Sequence, residues 1–250
     1  LERPQLEAEA LRDLAMLQHR AGRAAEARLT ARAAHTIFTR MGAEYELRRL
    51  AAFAWDQDFG AEMRQSLLPL HEAQQLANAG RYAELLDLLG ERSVRELEQS
   101  PTLGLLKAIG HARSGQMAQA STWALTALMR ARATGDRSVE VRALNVSGAV
   151  AMEQGGINEA IHYFARAQEE AMREGDLATV GRAANNLGII ANMRGEHGRA
   201  IGSFTAALGA YQRARNDRGV AESHHNLGIA YRDQGNLKDA LGAADEAVRQ

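Results

Sequence analysis

Eight histidines are the residues of this chain best suited to do chemistry, and their spacing argues against it. His71-Glu72 opens like the His-Glu-x-x-His helix that holds zinc, but Gln75 stands in the place of the second imidazole. His224 and His225 are adjacent, so on a helix they point about 100° apart and cannot easily share an ion. His162 and His197 have no partner nearby in sequence to complete a ligand set. With no cysteine, disulfides, thiolate metal sites and cysteine nucleophiles are excluded. No glycine-rich, lysine-containing phosphate loop occurs, and Gly155-Gly156 reads as a turn. Asn145-Val146-Ser147 is formally a glycosylation sequon, but it falls inside a predicted helix and reads as incidental. Trp55 and Trp123 read as packing residues. No nucleophile–base pair and no carboxylate pair stands out from a solvated helix face. The expectation is therefore no metal, no cofactor and no enzymatic activity.

Composition narrows the partners. The 250 residues are 46% hydrophobic and 24% charged, ordinary for a chain with a buried core. A formal net charge of −1 supplies no field favouring nucleic acid or an anionic membrane, so neither is expected as a partner. Apolar runs are short and broken by Arg or Glu, too short to span a bilayer. No basic-plus-apolar leader opens the sequence, and a cytoplasmic location is expected. The chain begins with Leu1 rather than Met, as a piece of a longer protein would. Lys107 and Lys238 are the only lysines, a bias toward Arg that suggests a GC-rich bacterial source. Only three prolines, with abundant Ala, Leu, Arg and Glu, favour helix throughout.

The strongest signal is a period of 40 residues. Gly148, Gly188 and Gly228 keep that step; so do Gly115, Gly155, Gly195 and Gly235, and again Ala120, Ala160, Ala200 and Ala240. A fixed period of this size marks a solenoid, in which each unit buries its apolar face only against its neighbours. Each unit reads as two helices. Residues 182–194 carry Ala183, Leu187, Ile190 and Ala191 at helical spacing, and Gly195 breaks the pattern as a C-cap would. A second helix over 198–215 places Ala200, Phe204, Ala207 and Leu208 on one face. The pairs 138–154 with 157–173 and 218–234 with 237–250 read alike. Small residues at Gly148, Ala160 and their equivalents suit helices that cross closely.

These residues resemble the tetratricopeptide repeat. "NNLGIIANMRGEHGRAIGSFTAAL" carries its pattern through Leu187, Gly188, Gly195, Ala200, Phe204 and Ala207. "NLGIAYRDQGNLKDALGAADEA" does so through Leu227, Gly228, Tyr231, Gly235, Ala240 and Ala247, and "VSGAVAMEQGGINEAIHYFARA" through Gly148, Gly155, Ala160, Phe164 and Ala167. "AIGHARSGQMAQASTWALTA" is weaker but in phase. The step of 40, rather than the commoner 34, resembles Pins-type adaptors, kinesin light chains and bacterial Rap-type regulators. The resemblance implies an all-α fold: an α-solenoid of stacked antiparallel helix pairs wound as a right-handed superhelix.

The same resemblance implies a binding groove lined by the first helix of each unit. Counting Gly181 as the first position, the family's groove positions here hold Arg142 and Arg182, then Asn145, Asn185 and His225, then Asn186 and Asn226, and further along Asn192 and Arg232. An Asn amide both donates and accepts, so a row of them can clamp an extended peptide's backbone. Arg adds charge-assisted pairing to carboxylates. Arg182, Asn185, Asn192 and His225 are read as groove residues. Asn186 and Asn226 suit either the groove or hydrogen bonds that fix the stacking of neighbouring helices. The family's chaperone-tail clamp uses Lys where Asn or His stands here, and Asn where Ala149, Ile189 and Ile229 stand, so that clamp is not expected. An apolar floor at Ile189 and Ile229 with Arg and Asn beside it suits a partner with apolar anchors and some acidic residues.

The first part breaks phase. "LAMLQHRAGRAAEARLTARAAHTIFTRMG" is another repeat, through Leu14, Gly22, Ala27 and Ala34. A further helix over 43–55, reading like a terminating cap, and the connection "DQDFGAEMRQSLLP" separate it from the next turn glycine, Gly80. Met63 looks like a natural start. The expected organisation is a helix pair plus terminating helix over 1–60, a short first repeat over 61–101 with its second helix over 82–97, and a 40-residue-period array over 102–250 with an incomplete last repeat. Residues 1–60 then belong after residue 250 in the stacking order, through a permutation, a deleted middle or an exchange between copies; two repeat blocks joined by a bent linker are the alternative. Leu237, Ala240, Leu241, Ala244 and Ala247 form an apolar stripe in need of a cover, for which Leu11, Leu14 and Leu17 of another copy are candidates. The function expected is a protein-interaction scaffold that binds an extended peptide and self-associates head to tail or by segment exchange. A ligand- or peptide-sensing module of a larger bacterial signalling protein and a self-assembling structural repeat are the alternatives.

Overall fold

The computed structural model describes residues 3–41, 43–53, 55–56, 59–60 and 68–249. Met63 and most of the connection before Leu68 lie outside them. The described residues are helical, with no strand among them. Their helices are α1 (Arg3–Arg20), α2 (Ala24–Met41), α3 (Glu44–Ala52), α4 (Leu68–Asn78), α5 (Tyr82–Gly90), α6 (Val94–Gln99), α7 (Pro101–Arg113), α8 (Met117–Thr134), α9 (Arg137–Glu153), α10 (Ile157–Glu174), α11 (Leu177–Met193), α12 (His197–Arg213), α13 (Asp217–Asp233) and α14 (Leu237–Arg249). They pack as successive antiparallel pairs, and the fold is an all-α solenoid of helix pairs. Two compact units result, Leu1–Glu140 and Val141–Gln250.

In the second unit, the first helices of successive pairs start for a local reason that repeats every 40 residues. Asp176 accepts from the Thr179 N–H at 3.0 Å and starts α11. One period on, Asn216 accepts from the Gly219 N–H at 3.0 Å and starts α13. Within each pair the turn is made by a glycine in the left-handed region, as at Gly195 with φ 73°. Between pairs the same conformation is taken by Gly175 (φ 72°) and, one period later, by Arg215 (φ 51°), a side-chain-bearing residue where glycine is favoured.

Inside a pair, the second helix drives a phenyl ring against a glycine of the first. A Cβ on Gly148 would lie 2.7 Å from the Phe164 ring, and one on Gly188 would lie 2.6 Å from Phe204. These glycines exist to admit the rings, while Ala160 and Ala200 are fully buried beside them. In the last pair the ring is missing, because Ala244 takes its place. A Cβ on Gly228 would meet nothing nearer than the Ala240 carbonyl at 3.4 Å.

The first unit uses the same grammar with more exceptions. The hairpin α1–α2 turns at Gly22 (φ 78°) and buries Ala27 and Ala34. Leu14, read as a repeat position and as part of a docking face, is 45% exposed. Helix α3 follows, and an aromatic group of His19, Phe53, Trp55 and Phe59 in edge-on contacts closes this end, with the Trp55 indole donating to the Leu50 carbonyl at 2.7 Å. Arg12, buried in α1, ion-pairs with Glu46 of α3. The helix expected over 82–97 is two. α5 ends at Gly90, and a new helix starts because Ser93 and Glu96 form a reciprocal capping box. Ser100 and Pro101 then open α7, as the sequence indicates. Trp123 packs in the core with the Lys107 ammonium 4.6 Å above its ring.

Candidate interaction face

Where the first helices α9, α11 and α13 of the second unit lie side by side, a residue on one stands beside the residue 41 positions later on the next. Asn186 Nδ2 donates to Asn145 Oδ1 at 3.5 Å, Asn226 Nδ2 to Asn185 Oδ1 at 2.9 Å, and Asn192 Nδ2 to Asp233 Oδ2 at 2.9 Å. The repeat is 40 residues and the contact step 41, so each rung is offset by one residue.

This geometry places part of the expected groove set in hydrogen bonds between neighbouring helices. Asn185 is 2% exposed; its oxygen accepts from Asn226 and its Nδ2 donates to Glu222 Oε1 at 3.1 Å. Asn145 is likewise buried and accepts from Asn186. A buried amide must be satisfied within the fold, and these two are engaged in stacking rather than offered to a peptide. Asn186 and Asn226 are half-buried donors in the same rungs, which favours the stacking reading for them. Asn192 is also engaged on both sides, with its oxygen 2.9 Å from His197 Nδ1. Its partner Asp233 is gripped by Arg232, Nη2 to Oδ1 at 2.7 Å. The Asn192 hydrogen bond, then the Arg232 one, holds the Asp233 carboxyl below the usual carboxylate range.

What remains outward-facing is a smaller set. Arg182, His225 and Arg232 are exposed, and Ile189 and Ile229 are half-buried between them. Arg142 is half-buried and engaged within the fold. Arg182 makes no ion pair or hydrogen bond among the described residues, so its charge is open to a ligand.

One residue of this face is missing from the sequence-derived set. Tyr211, on the second helix α12, is 2% exposed, and its ring passes beside α11 and α13. A Cβ on Gly181 would lie 2.8 Å from that ring and one on Gly219 2.5 Å. Burial, and next the charge of Glu222, push its phenol up, while Arg182 pulls it back. The signal was a joint departure from the period. One repeat earlier, alanine stands at 171, valine at 141 and threonine at 179, where this repeat has Tyr211, Gly181 and Gly219.

His71 pairs with Gln75 at 2.9 Å, and no group of three potential metal ligands forms among the described residues. None of the described helices is long and apolar enough to cross a membrane.

The family model described as tetratricopeptide repeat matches residues 176–250, which hold this face. No curated protein matches the chain. Among solved structures, BtubC (BKLC) from P. vanneervenii is similar over 97% of this chain and 90% of its own, with 21% identity and a TM-score of 0.56. A Rap protein complexed with Competence and Sporulation Factor is similar over 98% of this chain and 76% of its own, at 13% identity and a TM-score of 0.65. The tetratricopeptide-repeat sensor protein of the signal-transduction ATPase class from Pyrococcus horikoshii is similar over 97% of this chain but only 35% of its own, at 16% identity and a TM-score of 0.59. At these identities the likeness is one of fold.

Proposed function

We propose that this chain, whose repeats are tetratricopeptide repeats, is a protein-interaction module that holds an extended partner segment on the first-helix face of its second unit. The observation that carries the reading is the division of labour on that face. The Asn rungs fix the stacking from within, which leaves Ile189 and Ile229 as apolar seats framed by the exposed cations Arg182 and Arg232 and by His225. Apolar seats suit apolar anchors, and an unpaired guanidinium suits a carboxylate. The partner is therefore a peptide or protein segment with both, bound without metal or cofactor. Panning short random peptides displayed on phage against the protein tests this. Binders should lose at least about tenfold in affinity with Ile189→Asp, roughly the cost of one lost anchor. Retained affinity in that variant would overturn the assignment of the face.

A second reading, self-association, is favoured by one observation. Leu237, Leu241 and Val248 of α14 are 64%, 69% and 88% exposed. Leu14 and Leu17 of α1 are exposed as well. Such faces on two copies suit head-to-tail docking or an exchange of residues 1–60. Sedimentation over a wide concentration range tests it, and a monomer throughout would sink it. The Rap protein of similar fold is a complex with Competence and Sporulation Factor; a ligand-sensing role in a bacterial signalling protein is compatible with the same face.

A further inference from the structure

We infer that the Tyr211 hydroxyl is a recognition point of the second unit that acts with Arg182 and Glu222 on one amide group of the bound segment. The inference rests on the peptide-binding reading above and adds to it which chemical group is read, and by which residues.

Three observations carry it. First, Tyr211 is housed by two glycines. Neither Gly181 nor Gly219 could bear even a methyl group without striking the ring, at 2.8 and 2.5 Å. Phe164 and Phe204 each take a single glycine of their own pair, whereas Tyr211 takes one from each of two helices, and alanine suffices at the preceding equivalent, Ala171, which is fully buried. Second, the hydroxyl is unused. Among the described residues it has no hydrogen-bond partner, although the side chain is almost wholly buried, and it is not one of the polar atoms sealed from solvent. A tyrosine buried to this degree ordinarily finds a partner for its O–H. Third, the hydroxyl feels two opposite charges, Glu222 on α13 and Arg182 on α11, and both are exposed. Glu222 is also positioned from behind by Asn185 Nδ2, at 3.1 Å.

A donor hydroxyl acting with a guanidinium and a carboxylate matches a group with an acceptor and a donor side by side. An amide has that form. Its carbonyl oxygen accepts from Tyr211 Oη and lies toward Arg182, and its N–H donates to Glu222. At the hydroxyl itself a carboxylate would meet Glu222 as a like charge and an ammonium would meet Arg182, so a neutral amide is favoured there, leaving the remaining donors of the Arg182 guanidinium for a carboxylate elsewhere on the same segment. Both a main-chain peptide group and an Asn or Gln side chain carry this chemistry.

Tyr211→Phe tests the inference, because it keeps the ring in its cradle and removes only the oxygen. The probes are the phage-selected peptides, synthesised and titrated by calorimetry against wild type, Tyr211→Phe, Arg182→Gln and Ile189→Asp. Expected are an unchanged melting temperature for Tyr211→Phe and an affinity loss of about tenfold or somewhat less, the usual worth of one hydrogen bond in a partly dry site. Arg182→Gln, at an exposed position, should lose affinity too and guards against a folding defect in the first variant. N-methylation along the peptide backbone should find one sensitive bond if the main chain is read; sensitivity to Asn or Gln replacement instead identifies a side chain. Peptides that lose affinity with Ile189→Asp but not with Tyr211→Phe or Arg182→Gln would overturn this inference and leave the face assignment standing. Peptides indifferent to all three variants, or the absence of any binder, would overturn both.

Discussion

Asn226 donates its Nδ2 to Asn185 Oδ1 across 2.9 Å, joining two neighbouring first helices through a side chain that is 98% buried. The pair makes the row of Asn residues along this solenoid a structural device before it is a binding one. Asn185→Ala leaves the Asn226 donor and the Glu222 acceptor without their partner. The expected cost is about 1–3 kcal/mol, the penalty for polar groups left unmatched in a partly buried site. By contrast Arg182→Glu with His225→Ala should stay within about 0.5 kcal/mol of wild type. Urea denaturation of the two variants separates them, and equal stabilities would contradict the assignment of Asn185 to stacking.

Gly188 and Gly228 occupy the same place in successive repeats but should respond oppositely to a methyl group. Gly188→Ala would drive its Cβ to 2.6 Å from the Phe204 ring, an overpacking with a typical cost of about 1–3 kcal/mol. Gly228→Ala meets nothing closer than 3.4 Å and removes a helix-interior glycine, a gain of roughly 0.5–1 kcal/mol. Thermal melts of the two variants should shift in opposite directions.

Arg12 and Glu46 form an ion pair whose side chains are only 6% and 14% exposed. Glu46→Ala leaves the buried guanidinium with only Asp13, whose side chain is 61% exposed, as its partner, and a loss of up to about 3–5 kcal/mol is expected. Replacing both residues by Leu or Met should recover most of it, since the penalty comes from a buried charge that Asp13 alone compensates poorly. Failure of the double variant to recover would mean that the pair is needed for geometry beyond charge.

Arg215 holds φ 51°, where the preceding period has Gly175. Arg215→Gly should stabilise the protein by about 1 kcal/mol by relieving the left-handed strain, partly offset by the entropy of an added glycine. A lower midpoint in urea for this variant would show that the Arg side chain contributes there.

Asn192, and after it Arg232, hold the Asp233 carboxyl below the ordinary value of about 3.9. Folding thus favours the ionised form. The stability so gained is complete above the ordinary value and is lost as the pH falls through the lower folded-state value. Asn192→Ala should raise the Asp233 titration midpoint in carbon NMR. Its stability deficit should be present at neutral pH and vanish in strong acid.

The period, the helix pairs and their glycine turns were legible in the sequence, because each is a local matter. A glycine at the left-handed turn and an apolar stripe at helical spacing act through residues only a few positions away. The row of Asn residues was visible too, but its use was not. Whether Asn185 faces a ligand or a neighbouring helix depends on the one-residue offset between stacked repeats, and tertiary packing fixes that offset. Tyr211 shows the same limit more sharply. A tyrosine on a second helix reads as core, and only the approach of Gly181 and Gly219 from two other helices carries its hydroxyl to the neighbourhood of Arg182 and Glu222. Local chemistry determined that this chain is a stack of helix pairs. Contacts between residues some 30 to 40 positions apart decided which of its polar groups hold the stack together and which are left to bind.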